Sequence, residues 1–221
     1  NTTFDWKISL EEQEHYELHK DLEIDNVKPW SPEDPELYLV ELQMRKGQQI
    51  LDDIIDRFGF REICVEGQKI LLNGKSLRIK GVCRHEDHPM YGCALPVSAI
   101  EQDLQIAKDL GANSIRTSHY PNDEIFLDLC DEQGILVWEE NHARGLVLEQ
   151  MQNPNFEPQA EACIQEMITA HINHPCIIIW GILNECASDT EYGYECYKKQ
   201  YDLIRKLDTS RPRSSASCRF K

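Results

Sequence analysis

Four short stretches hold the residues with chemical potential. They are "RHEDH" (84–88), "RTSHY" (116–120), "EENH" (139–142) and "NE" (184–185). Between them they supply carboxylates, imidazoles, an amide and aromatic rings. Carboxyl groups and imidazoles are the usual donors and acceptors of protons in acid–base catalysis. With amides and rings beside them, they suit a polyhydroxylated ligand, whose hydroxyls need paired donors and acceptors. The last stretch is the sharpest. Asn184-Glu185 closes the apolar run "CIIIWGIL" (176–183), so a carboxyl group would stand at the end of a rigid buried strand. Without context, an Asn-Glu at a strand end is more often a helix cap or a solvated exit. A histidine is more often a satisfied surface or core residue than a ligand.

The elements that must position these residues follow from periodicity. From residue 77 onward, short apolar runs alternate with amphipathic segments. "LRIKGVC", "ANSIRTS", "ILVWEE" and "CIIIWGILNE" read as strands. The segments between them read as helices. In the first, Ser98 is the expected cap and Ile100, Leu104, Ala107 and Leu110 form the stripe. The second runs from Asn122 to Gly134. The third carries Ile164, Met167, Ile168, His171 and Ile172 on one face. The fourth carries Tyr197, Tyr201, Ile204 and Leu207, and "RSSASC" opens a further strand. Four βα repeats with short connections predict a parallel sheet. The uninterrupted run "CIIIW" fits a strand covered on both faces. A doubly wound sheet and a (β/α)8 barrel both satisfy this pattern. No glycine-rich phosphate loop follows the first strand, which disfavours a dinucleotide-binding oxidoreductase. All four polar stretches lie where strands end, and in a barrel those ends open onto one face.

Residues 1–75 read differently. "PWSPEDPELY" (29–38) excludes helix through its prolines. "YLVELQMR" alternates, with Val40, Leu42 and Met44 on one side and Glu41, Gln43 and Arg45 on the other, which predicts a half-buried strand. "QQILDDIIDRFGFREICV" returns as a second and third strand, and Asn73-Gly74 is a hairpin signal. Bulk properties narrow the partners. The 221 residues carry a net charge of −16, which argues against a nucleic-acid partner. No apolar run approaches the roughly 20 residues that span a bilayer. The nine cysteines contain no CxxC pair and sit partly in apolar segments, so reduced thiols in a cytoplasmic protein are expected.

The segments "NGKSLRIKGVCRHEDHP", "DLGANSIRTSHYPND", "LDLCDEQGILVWEE" and "NHPCIIIWGILNE", in this order, resemble glycoside hydrolase family 2. That family includes β-galactosidases, β-glucuronidases and β-mannosidases. The resemblance covers roughly residues 29–217. It implies an α/β fold: a partial (β/α)8 TIM barrel over residues 76–221, preceded by part of an immunoglobulin-like β-sandwich over residues 1–75. It implies a retaining exo-β-glycosidase with two carboxyl groups about 5–5.5 Å apart. Glu185 matches the acid/base of the family. Asn184 matches the residue that binds the hydroxyl beside the reacting carbon, Arg116 the arginine that orients the nucleophile, and His85 and His119 ligands of ring hydroxyls. Glu140 is as readily a core ion-pair partner as a site residue. Trp138 and Trp180 read as packing residues.

The resemblance also bounds the expectations. Residues 85–88 fit no standard zinc spacing, and "EENHARG" departs from the magnesium pattern of some β-galactosidases, so neither metal nor other cofactor is expected. The partner is a β-glycoside, with no nucleic acid or membrane partner, in a parent expected to be a homo-oligomer. The family's nucleophile is a glutamate on a later barrel strand. The acids after Glu185 are Asp189, Glu191, Glu195, Asp202 and Asp208, none in that place, so the chain alone is expected to be inactive. "GILVWEENHARG" leans towards β-glucuronidases. A β-galactosidase and a non-catalytic carbohydrate-binding remnant are the alternatives.

Overall fold

The computed structural model describes residues 2–9 and 17–218. The first strands form two antiparallel groups. A hairpin pairs β1 (Tyr38–Lys46) with β2 (Gln49–Phe58). A three-stranded meander follows, with β3 (Ile63–Glu66), β4 (Lys69–Leu72) and β5 (Lys75–Leu77). The β4–β5 turn is Asn73-Gly74, with φ +50° and +75°. Positive φ at both central residues is what a two-residue hairpin needs, so the sequence signal is realised.

The remainder alternates strand and helix: β6 (Gly81–Arg84), α1 (Val97–Asp109), β7 (Ser114–Thr117), α2 (Glu124–Gln133), β8 (Leu136–Glu140), the short α3 (Leu148–Met151), α4 (Phe156–His171), β9 (Ile177–Asn184), α5 (Glu191–Leu207) and β10 (Arg213–Ala216). These strands pair in parallel in the order β6-β7-β8-β9-β10. Sequential neighbours joined by helical crossovers are the plan of a (β/α)8 barrel, of which this sheet is a part. Every residue of β9 is buried, as the run "CIIIW" predicts. The core joins that strand to Ile100 and Leu104 of α1, Phe126 and Leu127 of α2, Ile164 and Met167 of α4, and Ile204 of α5. No disulfide forms among the described residues, and Cys130, Cys176, Cys186 and Cys196 are buried in the core.

Several local expectations need correction. The apolar side of β1 is not half-buried: Leu42 is 58% exposed, and Ile54 opposite it on β2 is 62% exposed. Alternation reports which residues share a face, not whether anything covers that face. The single strand expected over "LRIKGVC" is two, because β5 pairs backwards with β4 and the chain must turn before β6 joins the parallel sheet. Ser98 lies inside α1, whose cap position is Pro96, and Leu110 is 72% exposed. The cap of α2 is Asp123, which accepts from the Ile125 N–H at 2.8 Å, one residue beyond the expected Asn122. The buried stripe of α5 is Gly193, Cys196, Gln200 and Ile204, rotated from the tyrosine stripe that hydrophobicity suggested.

Candidate active site

Strand alternation decides which side chains meet. Successive residues of a strand face opposite sides, so Glu139 and Glu140 part company at the end of β8. Glu140 is fully buried on the side of Arg116 and His119. The Arg116 Nη2 donates to Glu140 Oε1 at 2.7 Å and to Asn184 Oδ1 at 2.7 Å. His119 Nδ1 lies 3.0 Å from Glu140 Oε2. The Glu140 amide donates to Thr117 Oγ1 at 3.0 Å, which ties the end of β8 to the end of β7. The Arg116 guanidinium also stacks on Trp138, 4.8 Å from the ring centre. Three of the four polar stretches thus converge on one hydrogen-bonded group.

Asn184 is held at its backbone as well. Its N–H donates to the Ala143 carbonyl at 3.0 Å, and its carbonyl accepts from Gly145 N–H at 2.8 Å. Because Arg116 has only donors, the Asn184 oxygen must face it, which leaves the amide nitrogen as the free donor. Glu185 follows with φ +55°, a left-handed conformation that costs a non-glycine residue of order 1–3 kcal/mol and is typical of functional positions. It ends the strict alternation of β9 at the carboxylate that the sequence reading singled out. The Glu185 N–H donates to the Ala216 carbonyl at 2.8 Å, and its side chain is exposed. His85, at the exit of β6, is exposed. Its ring lies 5.3 Å edge-on from His119 and 6.1 Å from Tyr120. Desolvation, then the neighbouring His119 ring and the Arg144 guanidinium, lower its pKa, which favours a neutral ring able to accept a hydrogen bond.

All five expected site residues, Glu185, Asn184, Arg116, His119 and His85, stand at the ends of β6, β7 and β9. The sequence reading left Glu140 open between a core ion-pair partner and a site residue; the structure gives it the buried ion-pair contacts with Arg116 and His119. The sequence reading missed Arg144. That residue forms a parallel bridge with Asn184, its guanidinium lies 5.7 Å from the Tyr120 ring, and it makes no ion pair among the described residues.

Other members of the polar stretches go elsewhere. Glu86 does not join His85. It pairs with Arg84 Nη1 at 3.0 Å and accepts from the Asp123 N–H. His88 stacks on Tyr91. Glu139 turns towards α4 and meets His171 Nδ1 at 2.7 Å. Asn141 is buried, with its amide 3.4 Å from the Ala160 carbonyl. Trp180 is buried, with its indole N–H on Asp208 at 2.7 Å, which is the packing role expected of it. Asp128, Asp131 and His174 place their ligand atoms within 4.8 Å of one another, at the end of the sheet remote from Glu185. They are already engaged: Asp128 with Arg57 at 2.6 Å, and Asp131 with His174 at 2.6 Å and the Cys176 N–H at 2.9 Å.

Residues 63–217 match the family description "Glycosyl hydrolases family 2, TIM barrel domain", and residues 2–61 match "Glycosyl hydrolases family 2". Among curated proteins, a β-galactosidase of Thermoanaerobacter pseudethanolicus is 36% identical over 199 residues, which is 89% of this chain and 26% of that protein. Among solved structures, a β-galacturonidase of Eisenbergiella tayi bound to galacturonate is 68% identical with a TM-score of 0.89, covering 91% of this chain and 36% of that one. A β-glucuronidase of Ruminococcus gnavus with a C6-substituted uronic isofagomine is 34% identical, TM-score 0.82, covering 87% and 33%. The chain therefore spans about a quarter to about a third of the length of these relatives. No helix among the described residues is long and apolar enough to cross a membrane.

Proposed function

The chain belongs to glycosyl hydrolases family 2, and from that premise we propose that the complete protein is a retaining exo-β-uronidase, with β-galacturonides as its substrates. In this reading residues 1–75 are the end of the family's immunoglobulin-like sandwich and residues 76–221 the first half of its barrel. Glu185 is the acid/base. It protonates the glycosidic oxygen as the bond breaks, then takes a proton from the water that releases the sugar. The nucleophile is a second glutamate on a later barrel strand, as the family resemblance implies, and not Glu140, which stands at the end of β8. Asn184 donates its free amide N–H to the hydroxyl beside the reacting carbon, a contact that strengthens as positive charge develops. His119 and His85 bind ring hydroxyls.

The observation that carries a charged sugar over a neutral one is Arg144. It is a guanidinium bridged through its backbone to Asn184 on the open face, without a carboxylate partner among the described residues. A uronate supplies the missing anion. The Eisenbergiella tayi relative, whose bound sugar is galacturonate, supports galacturonide over the glucuronide lean of the sequence. The glucuronide remains the second reading because the relatives from Ruminococcus gnavus and Bifidobacterium dentium are β-glucuronidases.

The test uses the complete protein with 4-nitrophenyl β-galacturonide, β-glucuronide and β-galactoside. The expected order of kcat/KM is galacturonide first, with the galactoside weakest. Glu185→Gln should nearly abolish turnover of a poor leaving group while partly sparing the nitrophenyl substrate, because only the former needs protonation. Equal loss on both leaving groups would remove Glu185 from the acid role.

A further inference from the structure

We infer that Glu140 is a positioning residue whose single carboxylate presets two substrate contacts, His119 on one side and Asn184, through Arg116, on the other. The inference rests on the uronidase reading above and adds to it a residue that does not itself touch the sugar.

The geometry is that of a forked support. Glu140 is wholly buried, and its two oxygens are divided between two neighbours: Oε1 to Arg116 at 2.7 Å and Oε2 to His119 Nδ1 at 3.0 Å. An ionised carboxylate only accepts. His119 must therefore carry its hydrogen on Nδ1, which points Nε2 away from Glu140 as the atom left for a ring hydroxyl. The second partner works through a relay. Glu140 fixes the Arg116 guanidinium, whose Nη2 also reaches Asn184 Oδ1 at 2.7 Å. That bond turns the Asn184 amide so that its N–H faces outward.

The surroundings leave Glu140 little freedom. Its own N–H is held by Thr117 Oγ1 at 3.0 Å, and Gly181 is paired directly opposite on β9. The other charged or titratable groups around the fork are Cys83, whose Sγ lies 3.9 Å from Arg116 Nη1, His85 against His119, Tyr120 beside His85, and Arg144 over Tyr120. The Glu140 oxygens bond only to Arg116 and His119 among the described residues. The neighbouring Glu139 faces away, onto His171. Glu140 is thus the one carboxylate in the group that serves both sides of the site.

An amide cannot replace it. Glutamine of the same shape has one accepting oxygen and one donating NH2. Turned with its NH2 towards Arg116, it sets donor against donor; turned the other way, its NH2 faces His119 Nδ1, which must then give up its hydrogen to Nε2 and so reverse the role of the atom left for the sugar. One of the two sugar contacts then loses its orientation.

The test is a double-mutant cycle in the complete protein, read on 4-nitrophenyl β-galacturonide turnover and on D-galacturonate binding per folded molecule. Glu140→Gln should lower kcat/KM about 10- to 100-fold, as small misplacements of positioning groups do. In a His119→Ala background the same substitution should cost at least about threefold less, because half of its effect has already been removed. A structural loss would be the same in both backgrounds, so equal cost overturns the inference, as does full activity of Glu140→Gln. If Glu140→Gln does not fold, Glu140→Asp takes its place in the cycle: it keeps the charge but is one methylene too short to reach both partners. A wild-type protein that neither cleaves the glycosides nor binds galacturonate overturns the uronidase reading and this inference with it. An active wild type with an additive cycle overturns this inference alone.

Discussion

At the scale of single residues, two adjacent glutamates have opposite tasks. Glu140 is shared by two donors, the Arg116 guanidinium and the His119 ring. Glu139, one position earlier, is buried against His171 on the helix side. Burial raises the Glu139 pKa, against the opposing pull of His171. Burial pulls the His171 pKa down, but the bond to Glu139 and its charge outweigh that, and the net shift is upward. Both shifts keep a proton on the pair. A raised folded pKa stabilises fully below the ordinary value and loses that stabilisation as pH rises through the folded value. The contribution of His171 is therefore complete below about pH 6.5 and fades above it. Replacing His171 with alanine leaves a buried carboxyl group without its partner, which should destabilise by about 3 kcal/mol or more near pH 6. The check is denaturant unfolding of wild type and His171→Ala at pH 6 and pH 8.5, with the larger gap at pH 6. A gap that does not narrow at the higher pH would mean that the pair is not what stabilises this contact.

At the scale of elements, the site depends on how closely β8 and β9 approach. Gly181 sits opposite Glu140 in the register. A Cβ there would lie 2.8 Å from the Trp138 indole nitrogen, 2.9 Å from the Glu140 Cα and 3.0 Å from the Glu139 carbonyl. Two of these are backbone atoms, which cannot rotate away. Gly181→Ala should therefore push the strands apart, lowering stability by about 1–3 kcal/mol and moving Glu140 with the backbone. The expected result is a lower melting temperature together with lower kcat/KM, whereas an unchanged enzyme would show that β8 is free to shift. The helices illustrate a different point. The buried stripe of α5 includes Gln200, whose side-chain oxygen lies 3.5 Å from the Asn141 amide. A pattern search for apolar residues skips a buried amide, so it rotated the stripe towards the tyrosines. Tyr197 is half-buried with its hydroxyl bonded to the Cys186 N–H, whereas Tyr201 is exposed.

At the scale of the whole molecule, the segment before the barrel is fastened to the end of the sheet opposite the site. Trp30 is fully buried, and its indole N–H donates to the Asp131 carbonyl at 2.8 Å. Arg61 donates to the carbonyls of Pro175 and Ile177. Gly134 holds a left-handed turn at φ +68°, with Pro32 so close that a Cβ would lie 2.3 Å from its carbonyl oxygen. Contacts at this end hold the fold together, while the opposite face is the one where barrels of this kind place their active sites. Trp30→Ala should cost about 3–5 kcal/mol, the usual loss for a large buried ring. The measurement is the denaturant midpoint. It should fall while KM for the glycoside stays unchanged, because Trp30 is remote from Glu185. A changed KM would show that the two ends are coupled.

Much of this was legible in the sequence. The periods of 2 and 3.6, the glycine and asparagine turn signals and the uninterrupted run before Asn184 determined the elements and their parallel order, because burial of apolar side chains leaves a periodic trace. The five expected site residues could be singled out because each closes a strand within a distinctive motif, and the structure places them at the ends of β6, β7 and β9. Partnership leaves no such trace. That Glu140 rather than Glu139 meets Arg116 and His119, that Glu86 turns to Arg84, that Arg144 stands beside Asn184 and that Gly181 must lack a side chain were decided by the tertiary structure. Hydrogen bonds and close approaches depend on distances of a few ångströms between residues 24 to 68 positions apart, and only the register of neighbouring strands brings those atoms together.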